Sequence, residues 1–167
     1  FESSNLNDDG ALRFSIPILV DTLSNISPKN DEATIEFLTT KVTSNPTISC
    51  EDCKKAIEAV CNIASKGNQE AIAFLKSNIG IIFKECEQAA IKGLVKIGAS
   101  KDKKEAINKL IPLLEGYYLG KNEHLESLLE LTKHGDSETI AQLRHLQENI
   151  QNIVLSKKIE LAIQNLL

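Results

Sequence analysis

The sequence predicts an all-α fold, a solenoid of about four and a half helical hairpins stacked in a row. Residues 68 to 101 carry the clearest hairpin, with apolar side chains at helical spacing on either side of Gly80. The pattern recurs along the chain every 33 to 37 residues. Because one hairpin buries too little apolar surface to offset the entropy of ordering its backbone, such a repeat indicates hairpins that pack on their neighbours.

The repeat is visible in two registers of each helix of the hairpin. In the first helix the registers hold Ile35, Ile72, Ile107 and Ile140, and Leu38, Leu75, Leu110 and Leu143. In the second helix they hold Leu23, Val60, Leu94 and Leu129, and Leu19, Ala56, Ala90 and Leu125. A further step of 34 residues predicts apolar residues at 159 and 163, and both positions are isoleucines.

Taken in order, the chain begins with a polar segment, residues 1–10, which we expect to be disordered or a linker. Residues 11–167 are predicted to form a single α-solenoid domain, which we expect to be a fragment of a longer protein. An unpaired helix covers about 12–26, with Ser15 as its cap and Pro17 in its first turn. Its apolar face consists of Ile16, Leu19, Val20, Leu23 and Ile26.

Four hairpins follow the unpaired helix, so that nine helices are expected. The hairpins cover residues 31–66, 68–99, 103–134 and 137–166. The last one ends on an apolar face of Leu161, Leu166 and Leu167. An end repeat is normally polar outside, so we expect this face to meet a further repeat or a partner.

Small residues and glycines define the hairpin of residues 68–101. Gly80 interrupts its first helix, and its second helix stops near Gly98, where we expect left-handed backbone geometry. The second helix also contains Ala89, Ala90 and Gly93, whose small size allows two helix backbones to approach closely.

This hairpin resembles a HEAT-like repeat of the armadillo type, of the kind found in phycobilisome lyase relatives. The matching residues are Glu70, Ala71, Ala89, Ala90, Leu94, Ile97 and Gly98. The resemblance implies a right-handed α–α superhelix whose second helices line the concave side, and it implies no particular activity. The turn departs from the family, because Gly80-Ile81-Ile82-Phe83 stands where Asp and Pro are usual. A loop continuous with a helix is therefore an alternative here.

Composition and charge limit the classes of partner. The net charge is −4, with an isoelectric point near 5.5, so no overall field attracts the chain to DNA or to an anionic membrane. No apolar run approaches the roughly 20 residues that span a bilayer, and no signal peptide is recognisable. We therefore expect a cytoplasmic protein that does not bind membranes.

The residues with reactive side chains do not form a recognisable motif. Cys50 and Cys53 have the C-x-x-C spacing of zinc or redox sites, but no second pair follows, so structural thiols are the expectation and a metal or redox role is the alternative. His124, His134 and His145 lack ligand spacing and are expected at the surface or in caps. No catalytic residue and no cofactor is predicted, and we expect a protein that is not an enzyme.

The predicted binding surface is the side of the second helices that lies away from their buried stripe. Its members are Lys54, Glu58, Asn62, Gln88, Lys92, Lys96, Glu123, Glu126 and Glu130. Their charge runs from mixed through basic to acidic. The leading hypothesis is a scaffold that binds another protein through this surface. The alternatives are a nucleic-acid-binding or DNA-repair module, which would need a more basic and aromatic groove, and a lyase for a small molecule, which would need a deep polar pocket.

Overall fold

The fold of the described residues is entirely α-helical, as predicted. The computed structural model describes residues 18–44, 48–80, 83–115, 121–132, 137–150 and 152–167. Within these ranges there are nine helices and no strand. They are α1 (18–26), α2 (Glu32–Ser44), α3 (Cys50–Ile63), α4 (Gln69–Ser77), α5 (Lys84–Ile97), α6 (Ser100–Glu115), α7 (Lys121–Leu131), α8 (Ser137–Asn149) and α9 (Ile153–Leu166). The predicted linker 1–10, the Ser15–Pro17 cap, Ile16 and His134 lie outside the described residues.

Polar side chains fix where several helices begin. The Ser49 side chain accepts a hydrogen bond from the backbone N–H of Asp52 and caps α3. Asn68 caps α4 and Asn152 caps α9 in the same way. At α6 the carboxylate of Asp102 accepts from the backbone N–H of Ala99, at 2.9 Å. These side chains satisfy backbone donors that have no partner within the helix.

The described helices form two rows. Each of the substantial contacts joins helices that are one or two positions apart in chain order. The even-numbered helices contact one another as α2–α4, α4–α6 and α6–α8, and the odd-numbered helices as α3–α5, α5–α7 and α7–α9. The pairs α2–α3, α4–α5, α6–α7 and α8–α9 connect the two rows. Consecutive hairpins therefore lie side by side.

The buried core follows the registers that the repeat predicts. Both first-helix registers are buried in all four hairpins, and so are Ile159 and Ile163, the positions reached by extrapolation. In the second-helix registers Ala56, Val60, Ala90, Leu94 and Leu125 are buried. Leu23 and Leu129 are only partly buried against this core. The registers therefore identify the interior of the described hairpins.

At the ends of the two rows the prediction was partly wrong. Val20 of α1 is buried, but Leu19 is 40% exposed and Ile26 is 71% exposed. The amphipathic pattern of α1 therefore does not bury all its members. At the other end Leu161 and Leu167 are exposed as expected, whereas Leu166 is buried.

The glycines around α5 act in two different ways. Gly80 has a φ of 81° and lies in the turn that follows the end of α4 at Ser77, so the predicted interruption of the helix is confirmed. Gly98 has a φ of −80°, so the expectation of left-handed geometry was wrong. It caps α5, and a Cβ atom at this position would lie 2.7 Å from the carbonyl oxygen of Leu94. Gly98 is therefore needed for space rather than for its backbone angle.

The α4–α5 connection is not helical at its described residues. Gly80 lies in a turn, and Phe83 is the extended N-cap residue of α5, so the alternative of a loop continuous with a helix was wrong at these two positions. Residues 81–82 between them are not among those described.

None of the described helices combines the length and the apolar character that crossing a membrane requires.

Candidate functional site

The nine residues of the predicted binding surface all reach solvent. Lys54, Gln88 and Glu123 are half-buried, and the others are exposed. Because the odd-numbered helices that carry them pack side by side, the nine residues occupy three neighbouring helices. Together these nine residues form an extended polar array along α3, α5 and α7, which we call the polar array.

Three contacts between neighbouring helices in the described part of the chain involve members of this array. The Lys96 ammonium of α5 donates to the Cys61 carbonyl oxygen of α3 at 3.0 Å and reaches the Asn62 side-chain oxygen at 3.5 Å. Lys84 at the start of α5 lies 3.7 Å from a carboxylate oxygen of Glu123 on α7. Lys96 and Glu123 of the array thus contact a neighbouring helix, whereas Lys92, Glu126 and Glu130 are exposed to solvent.

Three of the four cysteines meet where α3, α4 and α5 join, and we call Cys50, Cys53 and Cys86 the thiol cluster. The sulfurs of Cys50 and Cys86 are 3.8 Å apart, and the Cys86 thiol donates to the Cys50 carbonyl oxygen at 3.4 Å. The Cys53 thiol donates to the side-chain oxygen of Asn78, and the Cys50 thiol to a carboxylate oxygen of Glu85, both at 3.7 Å. The sequence had associated only Cys50 with Cys53.

The environment of the thiol cluster keeps its members protonated. Burial raises the pKa of Cys50 to about 11, with further contributions from Cys86 and Glu85. Burial also raises the pKa of Cys53, and it raises that of Cys86 to about 12, where the contact with Cys53 adds to the effect. A thiolate is the nucleophile and the metal ligand, so these thiols react slowly at neutral pH.

No set of three or more His, Cys, Asp or Glu side chains within the described ranges is arranged to hold a metal ion.

The fourth cysteine, Cys61, is buried on α3 and lies outside the thiol cluster. Burial raises its pKa to about 11, and the nearby Lys96 acts in the opposite direction.

A second polar group lies between α5 and α7 and was missed by the sequence analysis. The carboxylate of Glu87 accepts hydrogen bonds from the Ser127 hydroxyl at 2.8 Å and from the backbone N–H of Gly80 at 2.9 Å, and its Oε1 lies 3.0 Å from Nδ1 of His124. Glu87, His124 and Ser127 are buried, with 1%, 8% and 2% of their surface exposed. We call these three residues the Glu87 network.

The expectation of a surface or capping role was wrong for His124 and holds for the exposed His145, which contacts Asn149. A signal was available in the spacing, because Glu87 lies on the helical stripe shared by Ala90 and Leu94. A charged residue on an apolar stripe predicts a buried polar partner.

The Glu87 network does not have the arrangement of a nucleophilic site. Ser127 and His124 both contact the same carboxylate oxygen, Oε1 of Glu87, instead of forming a chain in which the histidine could accept the serine proton. Its burial also leaves no approach for a substrate. The network joins α5, α7 and the turn at Gly80, which is a structural role.

A groove of about 250 Å³ lies between α6 and α8. The ion pair of Lys104 and Glu138, at 2.6 Å, connects these helices at its rim. The groove contains neither the thiol cluster nor the Glu87 network, so neither of these two buried groups opens into it.

Comparison of the chain with models of protein families, with characterised proteins and with solved structures finds no match.

Proposed function

We propose that this chain is a HEAT-like solenoid, right-handed and cytoplasmic, that acts as a non-catalytic scaffold and binds another protein through the polar array of α3, α5 and α7. The observation that carries the proposal is the side-by-side packing of these three helices with all nine predicted residues at least partly exposed. Repeat stacks use such extended rows as binding surfaces. The resemblance to HEAT-like repeats adds the expectation that this row is concave.

The charges of the array indicate the kind of partner. Lys92 and Lys96 give α5 a basic stripe, and Glu126 and Glu130 give α7 an acidic one. A protein surface that places acidic groups against α5 and basic groups against α7 would complement both stripes. A nucleic acid would meet the carboxylates of α7 after the lysines of α5, which disfavours the DNA-repair alternative.

The arrangement of the buried polar groups supports a role without catalysis. The thiols of the cluster are protonated at neutral pH, and the Glu87 network is enclosed between two helices. Neither group opens into the groove between α6 and α8. The small-molecule lyase alternative therefore receives no support from the described residues.

A charge-reversal experiment tests the proposal. The test variant carries Lys92→Glu, Glu126→Lys and Glu130→Lys, three exposed positions on the odd-numbered row. The control variant carries Lys101→Glu, Glu36→Lys and Glu148→Lys, exposed positions on the even-numbered row with the same change in net charge. Each protein serves as bait in its native cell extract, and bound proteins are quantified by mass spectrometry.

The expected result is one set of proteins captured by the wild type and by the control variant and lost from the test variant. Equal capture by the two variants would contradict the assignment of the surface. Retention of DNA or RNA by the wild type, weakened by salt, would replace the proposal with its nucleic-acid alternative.

A further inference from the structure

The thiol cluster combines one accessible thiol with buried ones. Cys50 is the first residue of α3 and is partly exposed, whereas Cys86 in the first turn of α5 is fully buried. Their sulfurs are 3.8 Å apart. A disulfide bond holds its sulfurs about 2.0 Å apart, so the two sulfurs must move closer together for a bond to form. The required movement is smaller than the displacement of a cysteine sulfur between two of its staggered rotamers.

We propose that Cys50 and Cys86 are a site of reversible disulfide formation, in which Cys50 reacts with a low-molecular-weight disulfide such as that of glutathione and Cys86 resolves the adduct. This role is independent of the protein-binding surface proposed above. It takes up the redox alternative for the C-x-x-C motif and changes the partner of Cys50 from Cys53 to Cys86.

The reaction balances by two thiol–disulfide exchanges. The Cys50 thiolate attacks one sulfur of the small disulfide, whose S–S bond breaks and releases one small thiolate. The Cys86 thiolate then attacks the Cys50 sulfur of the mixed disulfide and releases the second small thiolate. The protein loses two electrons and two protons, and the small disulfide gains both as two thiols.

The surroundings determine which thiol reacts first. An incoming reagent meets Cys50, because Cys53 is 6% exposed and Cys86 is not exposed at all. The Cys53 thiol is engaged with the Asn78 side chain. The Cys86 thiol donates to the carbonyl oxygen of Cys50 itself, which holds it beside the sulfur that it would attack.

The high pKa values of Cys50, about 11, and of Cys86, about 12, slow both exchanges at neutral pH. Because the thiolate is the attacking species, oxidation accelerates as the pH rises toward these pKa values.

Oxidation would join the first turn of α3 to the first turn of α5. The bond closes a loop from residue 50 to residue 86 that contains the remainder of α3 and all of α4. A closed loop restricts the unfolded chain, so the oxidised protein should melt at a higher temperature than the reduced protein.

Peptide mapping after oxidation tests the proposal. The reduced native protein is incubated with glutathione disulfide, blocked with an alkylating reagent and digested with trypsin and an endoproteinase that cleaves before Asp52. This digestion places Cys50, Cys53 and Cys86 on separate peptides, which are 42–51, 52–54 and 85–92. The expected product is a link between 42–51 and 85–92 that a thiol reductant removes.

Three variants make the result specific. Cys50→Ser, at a partly exposed position, should lose the link and the rise in melting temperature, whereas Cys53→Ser should keep both. Cys61→Ser, outside the thiol cluster, should behave as the wild type. A dominant Cys50–Cys53 or Cys53–Cys86 link, a glutathione adduct on Cys50 that is never resolved, or unreacted thiols at the pH where Cys50 ionises would each overturn the proposal.

Discussion

Helix α5 packs against α3 on one side and against α7 on the other, and the two interfaces are built differently. At the α3 interface Gly93 of α5 allows close approach, because a Cβ atom there would meet the sulfur of Cys61 on α3 and would also lie 2.9 and 3.0 Å from the two methyl carbons of Leu75 on α4. The fit between these side chains and the α5 backbone therefore limits how closely the helices can pack at Gly93.

At the α7 interface a buried carboxylate decides the contact. Glu87 is 1% exposed, and its oxygens engage Ser127, His124 and the backbone of Gly80. A carboxyl group so far from water is stable only while its hydrogen bonds are satisfied. The comparison teaches that two residues of one helix fit it to its neighbours by different means, Gly93 by leaving space for side chains and Glu87 by buried hydrogen bonds. The interfaces should therefore fail under different substitutions.

The largest effect is expected from a charge placed in the buried stripe of α5 itself. Leu94 is fully buried, so Leu94→Asp should lower the free energy of unfolding by about 4 kcal/mol or more and unfold the helices around α5. Val95 is 40% exposed, and Val95→Asp is the matched control, with little expected change. Circular dichroism and thermal melting measure both variants. Native helicity and melting in Leu94→Asp would contradict the assigned interior.

Removal of the Glu87 carboxylate should have the next largest effect, and it should be confined to the α7 side. Glu87→Leu leaves the donors of Ser127 and Gly80 without their acceptor, at a cost of about 3 kcal/mol. Glu87→Gln keeps one side-chain oxygen and should lose less. Urea denaturation measures both. Equal stability of Glu87→Leu and the wild type would show that this interface does not depend on the network.

A single added methyl group should test the α3 side. Gly93→Ala forces a clash with Cys61 and Leu75, and the expected loss is about 1 to 2 kcal/mol after allowance for the better helix propensity of alanine. Cys61→Ala removes the nearest obstructing atom, so the double variant should recover part of the loss. Additive destabilisation of the two substitutions in denaturant melts would mean that the space at Gly93 is not limiting.

The last effect is absent at neutral pH and develops only as the pH rises, and it also belongs to the α3 side. The pKa values of Cys50 and Cys86 are about 11 and about 12 in the folded chain, above the ordinary 9.0. Between these values the unfolded chain releases protons that the folded chain retains, so stability falls as the pH rises. Denaturation midpoints from about pH 8 to about pH 11 should show a shallower fall when Cys50→Ser and Cys86→Ala are combined. An identical slope would exclude this linkage.

The repeat registers predicted the interior well because each apolar position is reinforced by copies one hairpin away. Ile35 in the first hairpin and Leu143 in the last are both buried, as the repeat register of each predicts. The terminal helices were predicted less well, since periodicity shows which residues can be buried and not whether a neighbour covers them. Leu19 and Ile26 are the examples.

The thiol cluster and the Glu87 network were not predicted because the residues of each lie on different helices, and helical periodicity relates only residues of the same helix. Cys50 and Cys86 are 36 positions apart, and Glu87 and His124 are 37 apart, so each pair is separated by about one repeat length. Side-by-side packing of equivalent helices brings such pairs together. A search for reactive residues one repeat apart would have found both, although the hydrogen-bond geometry could not be predicted without the structure.

The central claim is that the hairpins form a row and do not gather around one common core. Distances between spin labels on unnatural amino acids at Glu36 of α2, Lys101 of α6 and Glu148 of α8, all exposed, test this claim most directly. The account predicts that the Glu36–Glu148 distance is clearly the longest of the three, because α2 and α8 are the outer helices of the even-numbered row. Three similar distances would contradict it.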